Sequence, residues 1–154
     1  MAIDKVREYL KRWNKDEEIQ EFDVSSATVE LAAQALHCEP ERIAKTLAFK
    51  VDDSCILIVT AGDAKVDNAK FKGLFKTKAK MLVPDEVIEF VGHAIGGVCP
   101  FGINKDVRVY MDISLRRFST VFPACGSSNS AIELTLDELE KYSNSLDWID
   151  VCKG

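Results

Sequence analysis

The fold is decided by the segment Ile43-Ala44-Lys45-Thr46-Leu47-Ala48-Phe49-Lys50-Val51, which continues through Asp52-Asp53-Ser54 into Cys55-Ile56-Leu57-Ile58-Val59-Thr60. Two largely apolar runs of strand length, separated by a short polar turn, predict a β-hairpin. Lys45 departs from this pattern, because it places an ammonium group among small and apolar neighbours. The hairpin therefore predicts part of a sheet and raises the question of what Lys45 does there.

Helices and short strands are predicted on both sides of the hairpin. Apolar spacing and potential caps predict helices over residues 3–13, 29–36, 67–75, 84–91 and 136–142. Short apolar runs predict further strands near residues 19–24, 80–83, 107–111, 118–122 and 132–134. Because helices and strands alternate irregularly, the predicted fold class is α+β, and the length of 154 residues predicts one domain over residues 1–154.

Length and charge exclude several classes of protein. A chain of 154 residues is too short for a full-size aminoacyl-tRNA synthetase, a TIM barrel or a two-domain dinucleotide enzyme. Its net charge of −5 argues against a protein whose whole surface binds nucleic acid, whereas a local basic patch is compatible with it.

The sequence contains no recognisable targeting segment and no metal motif. The first residues are charged, and the longest apolar run, near residues 55–59, is far shorter than the ~20 residues that a membrane span requires. We therefore expect a cytoplasmic protein with no membrane partner. The five cysteines form no C-x-x-C pair and only two histidines accompany them, so we expect neither a metal nor a cofactor.

The most unusual stretch is Gly92–Gly102, which contains four glycines and a proline. Glycine permits positive φ angles and close backbone approach, and Pro100 restricts the far side, so such a loop can hold peptide N–H groups in fixed positions. Fixed N–H groups bind carbonyls or phosphates. A wide connection without any binding role explains the glycines equally well. The loop matches neither a P-loop nor a dinucleotide-binding fingerprint.

Lys45 and a run of lysines are the candidate positive groups. Lys45 either extends from an edge strand into solvent or points into a cleft, where partial desolvation lowers its pKa. The basic island, which carries a net charge of +5 against the single acidic Asp67, is interleaved with Phe71 and Phe75 and is either a solvated face or a docking face for phosphates. It consists of Lys65, Lys70, Lys72, Lys76, Lys78 and Lys80.

A cysteine and a histidine in the glycine loop suggest an alternative chemistry. Cys99 lies six residues after His93, and a thiolate beside an imidazole is a nucleophile. Spacing within a loop does not establish contact, and an inert cysteine is the more common case. A thiol hydrolase that uses Cys99 is therefore an alternative of low rank.

Taken together, these residues resemble a known family. The stretches that carry the resemblance are Ala44–Leu47, Gly62-Asp63 before a lysine-containing helix, Gly92–Gly102, Asp112–Leu115, and Gly126 before Ile132–Leu134. They resemble the YbaK/EbsC family of free-standing aminoacyl-tRNA deacylases, which is similar to the editing domain inserted in bacterial prolyl-tRNA synthetases. The similarity covers nearly the whole chain.

The resemblance implies a compact α+β domain with a central mixed β-sheet, surrounded by helices, that hydrolyses the ester between a wrong amino acid and tRNA. Lys45 matches the essential lysine of the family, beside the 3′-terminal adenosine and the ester, while Gly96 and Gly97 match the loop that holds the carbonyl. The substrate pocket implied by the family includes Val24, Thr28, Thr46, His93, Cys99 and Pro100. The basic island is the candidate tRNA contact.

The chemistry implied is hydrolysis by a positioned water without a metal, because an aminoacyl ester is already activated. The family suggests alanine, cysteine or another small residue on proline tRNA, which agrees with the weak discrimination of small side chains by synthetases. The family often has serine at Cys99 and an aromatic residue at His93, so Cys99 is either a nucleophile or, as we favour, a spectator. A non-catalytic module that binds tRNA or a synthetase is the other alternative. Prolyl-tRNA synthetase is a possible partner, and both monomer and homodimer are open.

Overall fold

A computed structural model describes residues 2–94 and 96–153. The helices, in chain order, are α1 (Ala2–Leu10), α2 (Val29–Leu36), α3 (Asn68–Phe75), α4 (Pro84–Phe90) and α5 (Leu136–Ser143). The strands are β1 (Gln20–Glu21), β2 (Ile43–Val51), β3 (Ser54–Ala61), β4 (Arg108–Asp112), β5 (Thr120–Pro123), β6 (Ser130–Ala131), β7 (Leu134–Thr135) and β8 (Asp147–Ile149). The predicted α+β class is confirmed.

The predicted hairpin forms the centre of a curled six-stranded sheet in the order β7-β5-β2-β3-β4-β8. Strands β2 and β3 pair antiparallel from Ala44 with Ala61 to Val51 with Ser54. Strands β5, β4 and β8 join in parallel pairs, whereas β7 is antiparallel to β5. The sheet is therefore mixed, as the family resemblance implied. A separate small sheet pairs β1 with β6.

The outer edge of β2 is only partly covered. Strand β5 pairs with its first two residues, Ile43 and Ala44. Further along, the segment predicted as a strand over residues 80–83 forms only an isolated bridge between Phe49 and Met81, so the prediction of a full strand there is wrong. Main-chain hydrogen bonds on this edge run from Leu82 to Ala48 and from Lys50 to Lys80. Between these two partners lies a gap at residues 45–47.

Local signals explain why the helices begin where they do. Thr28 caps α2 by accepting a hydrogen bond from the N–H of Leu31, and Asp67 caps α3 in the same way. Pro84 occupies the first turn of α4, where its missing N–H costs no hydrogen bond. The first predicted helix is confirmed over Ala2–Leu10 and continues as a 3-10 turn to Trp13.

The core lies between the sheet and the helices. Residues 56–59 of β3 are fully buried on both faces, as expected for a central strand. Val6 and Leu10 of α1 and Phe71 of α3 complete the core from the two sides. None of the helices in the described ranges is long and apolar enough to cross a membrane.

Candidate active site

A cavity of about 240 Å³ opens at the gap in the edge of β2. Residues 43–48 of β2 form one wall, and the start of α2 forms another. Most of the remaining lining is apolar, with several alanines beside larger side chains; it includes Ala27, Ala32, Ala124, Ala131, Val98 and Phe122. The cavity therefore exists because β5 and the 80–82 segment each cover only part of the β2 edge.

Lys45 lines this cavity and is held in place by the protein. Its Nζ donates a hydrogen bond to the carbonyl oxygen of Ala64, 2.5 Å away, in the loop after β3. Burial of the side chain lowers the pKa of Lys45 below its usual value of 10.5, whereas the nearby Cys152 and Asp63 act in the opposite direction. An ammonium in such a site has further N–H donors to offer to a ligand.

The strand geometry also directs main-chain groups into the gap. Alternate residues of a β-strand direct their N–H and C=O to the same edge. Because Ala48 and Lys50 use this edge to bind the 80–82 segment, Thr46 directs its N–H and C=O to the same edge, at the gap. No strand of the described chain pairs with Thr46 there. One donor and one acceptor are thus available beside Lys45.

The two glycines predicted at the site have different roles in the structure. Gly96 lines the cavity at φ +95°, and a β-carbon there would lie 3.2 Å from Cβ of Ala27. Gly97 does not line it: its N–H donates to Ala94, its carbonyl accepts from Gly126, and a β-carbon would lie 2.6 Å from a backbone nitrogen. The prediction that the Gly97 N–H holds the substrate carbonyl is not compatible with these bonds. Gly97 instead allows close packing against the Gly126 loop.

Hydroxyl groups supply the other polar atoms of the cavity. Thr46 and Thr28 line it, as the family resemblance implied, although Thr28 also caps α2. The Thr46 hydroxyl is buried and has no hydrogen-bond partner in the described chain. The same holds for Ser26, which sequence reasoning missed. Buried hydroxyls without partners are rare in proteins, so a ligand with polar atoms is the expected partner.

Four residues expected in the substrate pocket lie elsewhere. Val24 is 60% exposed and does not line the cavity. Pro100, His93 and Cys99 are buried on the core side of the glycine loop. These four assignments are corrected, because among residues 92–94 and 96–102 of the loop it is Gly96 and Val98 that line the cavity.

The burial of Cys99 also argues against a thiol hydrolase. Its sulfur lies 3.6 Å from Nε2 of His93, so the predicted pair does form, but within the core. Burial raises the pKa of the Cys99 thiol to about 12 and lowers the pKa of His93. At neutral pH both groups are uncharged, and Nε2 of His93 contacts the carbonyl oxygen of Phe101 at 2.8 Å. A buried, protonated thiol is not a nucleophile.

The basic island is only partly a free charged surface. Lys70 is bound by Asp150 and by the carbonyl oxygen of Cys152. Phe71 is fully buried in the core, which contradicts its role as an aromatic group that interleaves the lysines on a binding face. Exposed side chains remain at Lys65, Lys72, Lys76, Lys78 and Lys80.

Several lining residues carried no recognisable sequence signal. Met81, Phe122 and Ala131 come from distant parts of the chain and look like ordinary core residues in the sequence. Ser26 belongs to a Ser-Ser-Ala-Thr cluster that was interpreted as a set of helix caps, which was the one available signal. No group of three or more His, Cys, Asp or Glu side chains suitable for a metal ion occurs in residues 2–94 and 96–153.

Comparison with known proteins identifies the family. Residues 23–142 match the aminoacyl-tRNA editing domain family. Because the match covers most of the chain, the protein belongs to this family, and the predicted YbaK-like membership is confirmed. Family membership supports a role in tRNA editing by deacylation.

Individual relatives agree with this assignment. The chain is 56% identical over 154 residues to the uncharacterized protein YwhH of Bacillus subtilis (strain 168), with 99% of this chain and 98% of that protein covered. It is 29% identical over 102 residues to proline–tRNA ligase of Geobacillus sp. (strain WCH70), which covers 66% of this chain but 18% of the ligase. A crystal structure described as a candidate trans-editing enzyme for prolyl-tRNA synthetase superposes with a TM-score of 0.89 at 28% identity, covering 99% of this chain and 98% of that one.

Proposed function

We propose that the protein is a trans-acting aminoacyl-tRNA deacylase that hydrolyses the ester of mischarged proline tRNA carrying a wrong small amino acid, such as alanine or cysteine. The observation that carries the proposal is that Lys45 and Gly96 line one cavity at the open edge of β2. Two relatives, a proline–tRNA ligase and a candidate trans-editing enzyme for prolyl-tRNA synthetase, support proline tRNA as the substrate. The proposed domain spans residues 1–154.

The reaction needs a water, a polarised carbonyl and a stabilised leaving oxygen. The water oxygen attacks the ester carbonyl carbon, the bond from that carbon to the ribose oxygen breaks, and one water proton ends on the ribose oxygen. The products are the free amino acid and tRNA with a free terminal hydroxyl. Lys45 supplies positive charge to the oxygens on which negative charge develops, and the Thr46 N–H is a further donor at the same edge. In this proposal no metal takes part.

The lining of the cavity supports a small amino acid as the group that it selects. Its walls are mostly apolar, and residues 43–48 of β2 form one of them. The buried hydroxyls of Ser26 and Thr46, which have no hydrogen-bond partner in the described chain, also line the cavity. The Thr46 carbonyl, directed into the gap, is a suitable acceptor for the α-ammonium of the aminoacyl group. We place the reaction in the cytoplasm, where translation occurs, with prolyl-tRNA synthetase as a partner.

Deacylation assays with a panel of substrates test this proposal. Alanyl-, cysteinyl-, seryl- and prolyl-tRNA of the proline isoacceptor are incubated with the protein in the presence of EDTA. We expect hydrolysis of at least one mischarged substrate and a loss of roughly 10²-fold or more in kcat for Lys45→Ala, since one electrostatic donor contributes about that much. Lys50→Ala, on the same strand but outside the cavity, is the matched control and should keep its activity.

Three results would contradict the proposal or one of its parts. Wild-type rates in Lys45→Ala would remove Lys45 from the reaction. Salt-sensitive binding of tRNA without turnover of any substrate would instead identify a non-catalytic binding module. Complete inhibition by EDTA, restored by a divalent metal, would contradict the metal-free mechanism alone.

A further inference from the structure

A second cavity, of about 440 Å³, lies next to the residue that binds the Lys45 ammonium. Ala64, whose carbonyl accepts the hydrogen bond from Lys45, lines this second cavity, whereas the Lys45 side chain lines the first. The two cavities therefore meet at one hydrogen bond. For a substrate whose ester lies in the first cavity, the second cavity is therefore a neighbouring surface.

The second cavity contains two lysines that face each other across a strand pair. Val66 and Cys152 form an antiparallel bridge, with main-chain hydrogen bonds of 2.8 Å from Lys153 to Lys65 and from Asp67 to Val151. In this register Lys65 lies directly opposite Lys153. Side chains of directly opposite residues lie on the same face of a strand pair, with Cβ atoms about 4.5–5.5 Å apart, and two like charges in such positions destabilise each other.

The three carboxylates of the second cavity already have hydrogen-bond partners, and two of them are paired with cations outside the lysine pair. Asp63 forms a two-point ion pair with Arg117, and Asp150 binds Lys70. Asp112 is buried and accepts hydrogen bonds from the N–H groups of Ser114 and Val151.

Lys65 and Lys153 are not neutralised by these carboxylates. Within residues 2–94 and 96–153 no side chain forms an ion pair with either lysine, although both line the cavity. Lys65 also repels the Lys45 ammonium. Lys65 is thus coupled to Lys45 on one side and lies opposite Lys153 on the other, and an anion between Lys65 and Lys153 would relieve the repulsion between those two lysines.

We infer that the second cavity binds a backbone phosphate of the RNA strand that carries the ester, with Lys65 and Lys153 as its two ligands. The inference rests on the proposed function, because it assigns the ester to the first cavity. Of the two parts of an aminoacyl-tRNA, only the polynucleotide is anionic, so the strand and not the amino acid fits the lysine pair. This inference gives Lys65 a role that the other lysines of the basic island do not share, whereas the sequence analysis interpreted all six lysines as one surface.

A paired-variant experiment tests this site. The double variant Lys65→Gln/Lys153→Gln is compared with Lys72→Gln/Lys78→Gln, which removes the same charge from exposed positions outside both cavities. The first probe is a fluorescein-labelled short RNA ending in cytidine-cytidine-adenosine, with Kd measured by anisotropy over a range of salt concentrations. We expect the first double variant to weaken binding by about tenfold or more and to reduce the salt slope by about 0.7 for each lysine, while the control changes neither comparably.

The second probe separates the strand from the ester. With alanyl-tRNA as substrate, Lys65→Gln/Lys153→Gln should lower kcat/KM by about tenfold or more, mainly through a higher KM. With 3′-O-alanyl-adenosine, which has no phosphate, the fall in kcat/KM should be much smaller. Equal losses on both substrates, or an RNA affinity that falls equally in the two double variants, overturn the assignment.

The outcomes also distinguish this inference from the proposed function. If RNA binding depends on Lys65 and Lys153 but no ester is hydrolysed, the phosphate site is supported and the deacylase proposal fails. If hydrolysis depends on Lys45 while Lys65→Gln/Lys153→Gln behaves as wild type with both probes, the phosphate site alone fails.

Discussion

The two cavities that meet at Lys45 differ in the groups that line them. The first is built from alanines, larger apolar side chains and a few hydroxyls at an incomplete strand edge. The second is lined by carboxylates and by two lysines that form no ion pair within residues 2–94 and 96–153. Apolar walls discriminate between amino acid side chains by size and shape, whereas lysines bind a phosphate whatever the base attached to it. The difference teaches how a small domain can separate selection of an amino acid from attachment of the nucleic acid that carries it.

Filling the first cavity should have the largest effect and should leave the second cavity intact. Ala32→Leu places a larger side chain in the cavity, so we expect kcat/KM for cysteinyl-tRNA relative to alanyl-tRNA to fall by about 10-fold or more, since a single methylene is worth about 10- to 200-fold. The Kd for short RNA should be unchanged. Ala35→Leu, on the same helix but outside the cavity, is the control. Equal loss on every ester, or weaker RNA binding, would remove the distinction between the cavities.

A change in the glycine loop, at a residue behind the first cavity, should have an intermediate effect. In Gly97→Ala the new methyl group would lie 2.6 Å from the nitrogen of Ser127 and 2.7 Å from the carbonyl carbon of Gly126. Because backbone atoms cannot move aside cheaply, we expect the free energy of unfolding to fall by about 1–3 kcal/mol or more. Urea denaturation measures this change.

Gly73→Ala is the matched control for that variant. Nothing lies within 4 Å of the added methyl group in α3, so alanine should stabilise the protein by about 0.5–1 kcal/mol through helix propensity. A Gly97→Ala protein as stable as wild type would show that the contact between the two glycine loops is not tight.

The smallest effect at neutral pH concerns Lys45, which lines the first cavity and donates a hydrogen bond to Ala64 of the second. Its ammonium form is the proposed active form and burial lowers its pKa, so kcat/KM should fall as pH rises through a value below 10.5. Lys45→Ala provides the baseline for spontaneous ester hydrolysis. In Lys45→Arg the guanidinium stays charged, so the alkaline fall should disappear from whatever activity remains. An alkaline fall that persists in Lys45→Arg would assign the titration to another group.

Local sequence signals predicted much of the fold. The β2–β3 hairpin and helix α2 were recognisable because a polar turn, a threonine cap and a proline act within a few residues. Two segments illustrate the limit of these local signals. Residues 80–83 form only a bridge, and β8, three residues long, was not predicted. Whether such short segments pair depends on partners that are distant along the chain.

The candidate site shows the same division. Lys45, Thr46, Thr28 and Gly96 were selected from the sequence and do line one cavity. His93 and Cys99 were selected by the same reasoning, yet both are buried beneath the loop. Side chains in an irregular loop follow no fixed period, so the sequence could not show which of them face the core and which face the cavity.

By itself the sequence determined the α+β class, the central hairpin and the family, because these follow from short-range patterning and from recognisable motifs. Only the tertiary structure decided that β5 and the 80–82 segment leave a gap beside Lys45, and that Lys65 lies opposite Lys153. Both depend on the register of segments far apart in the chain, which is fixed by packing of the whole core and not by any local preference.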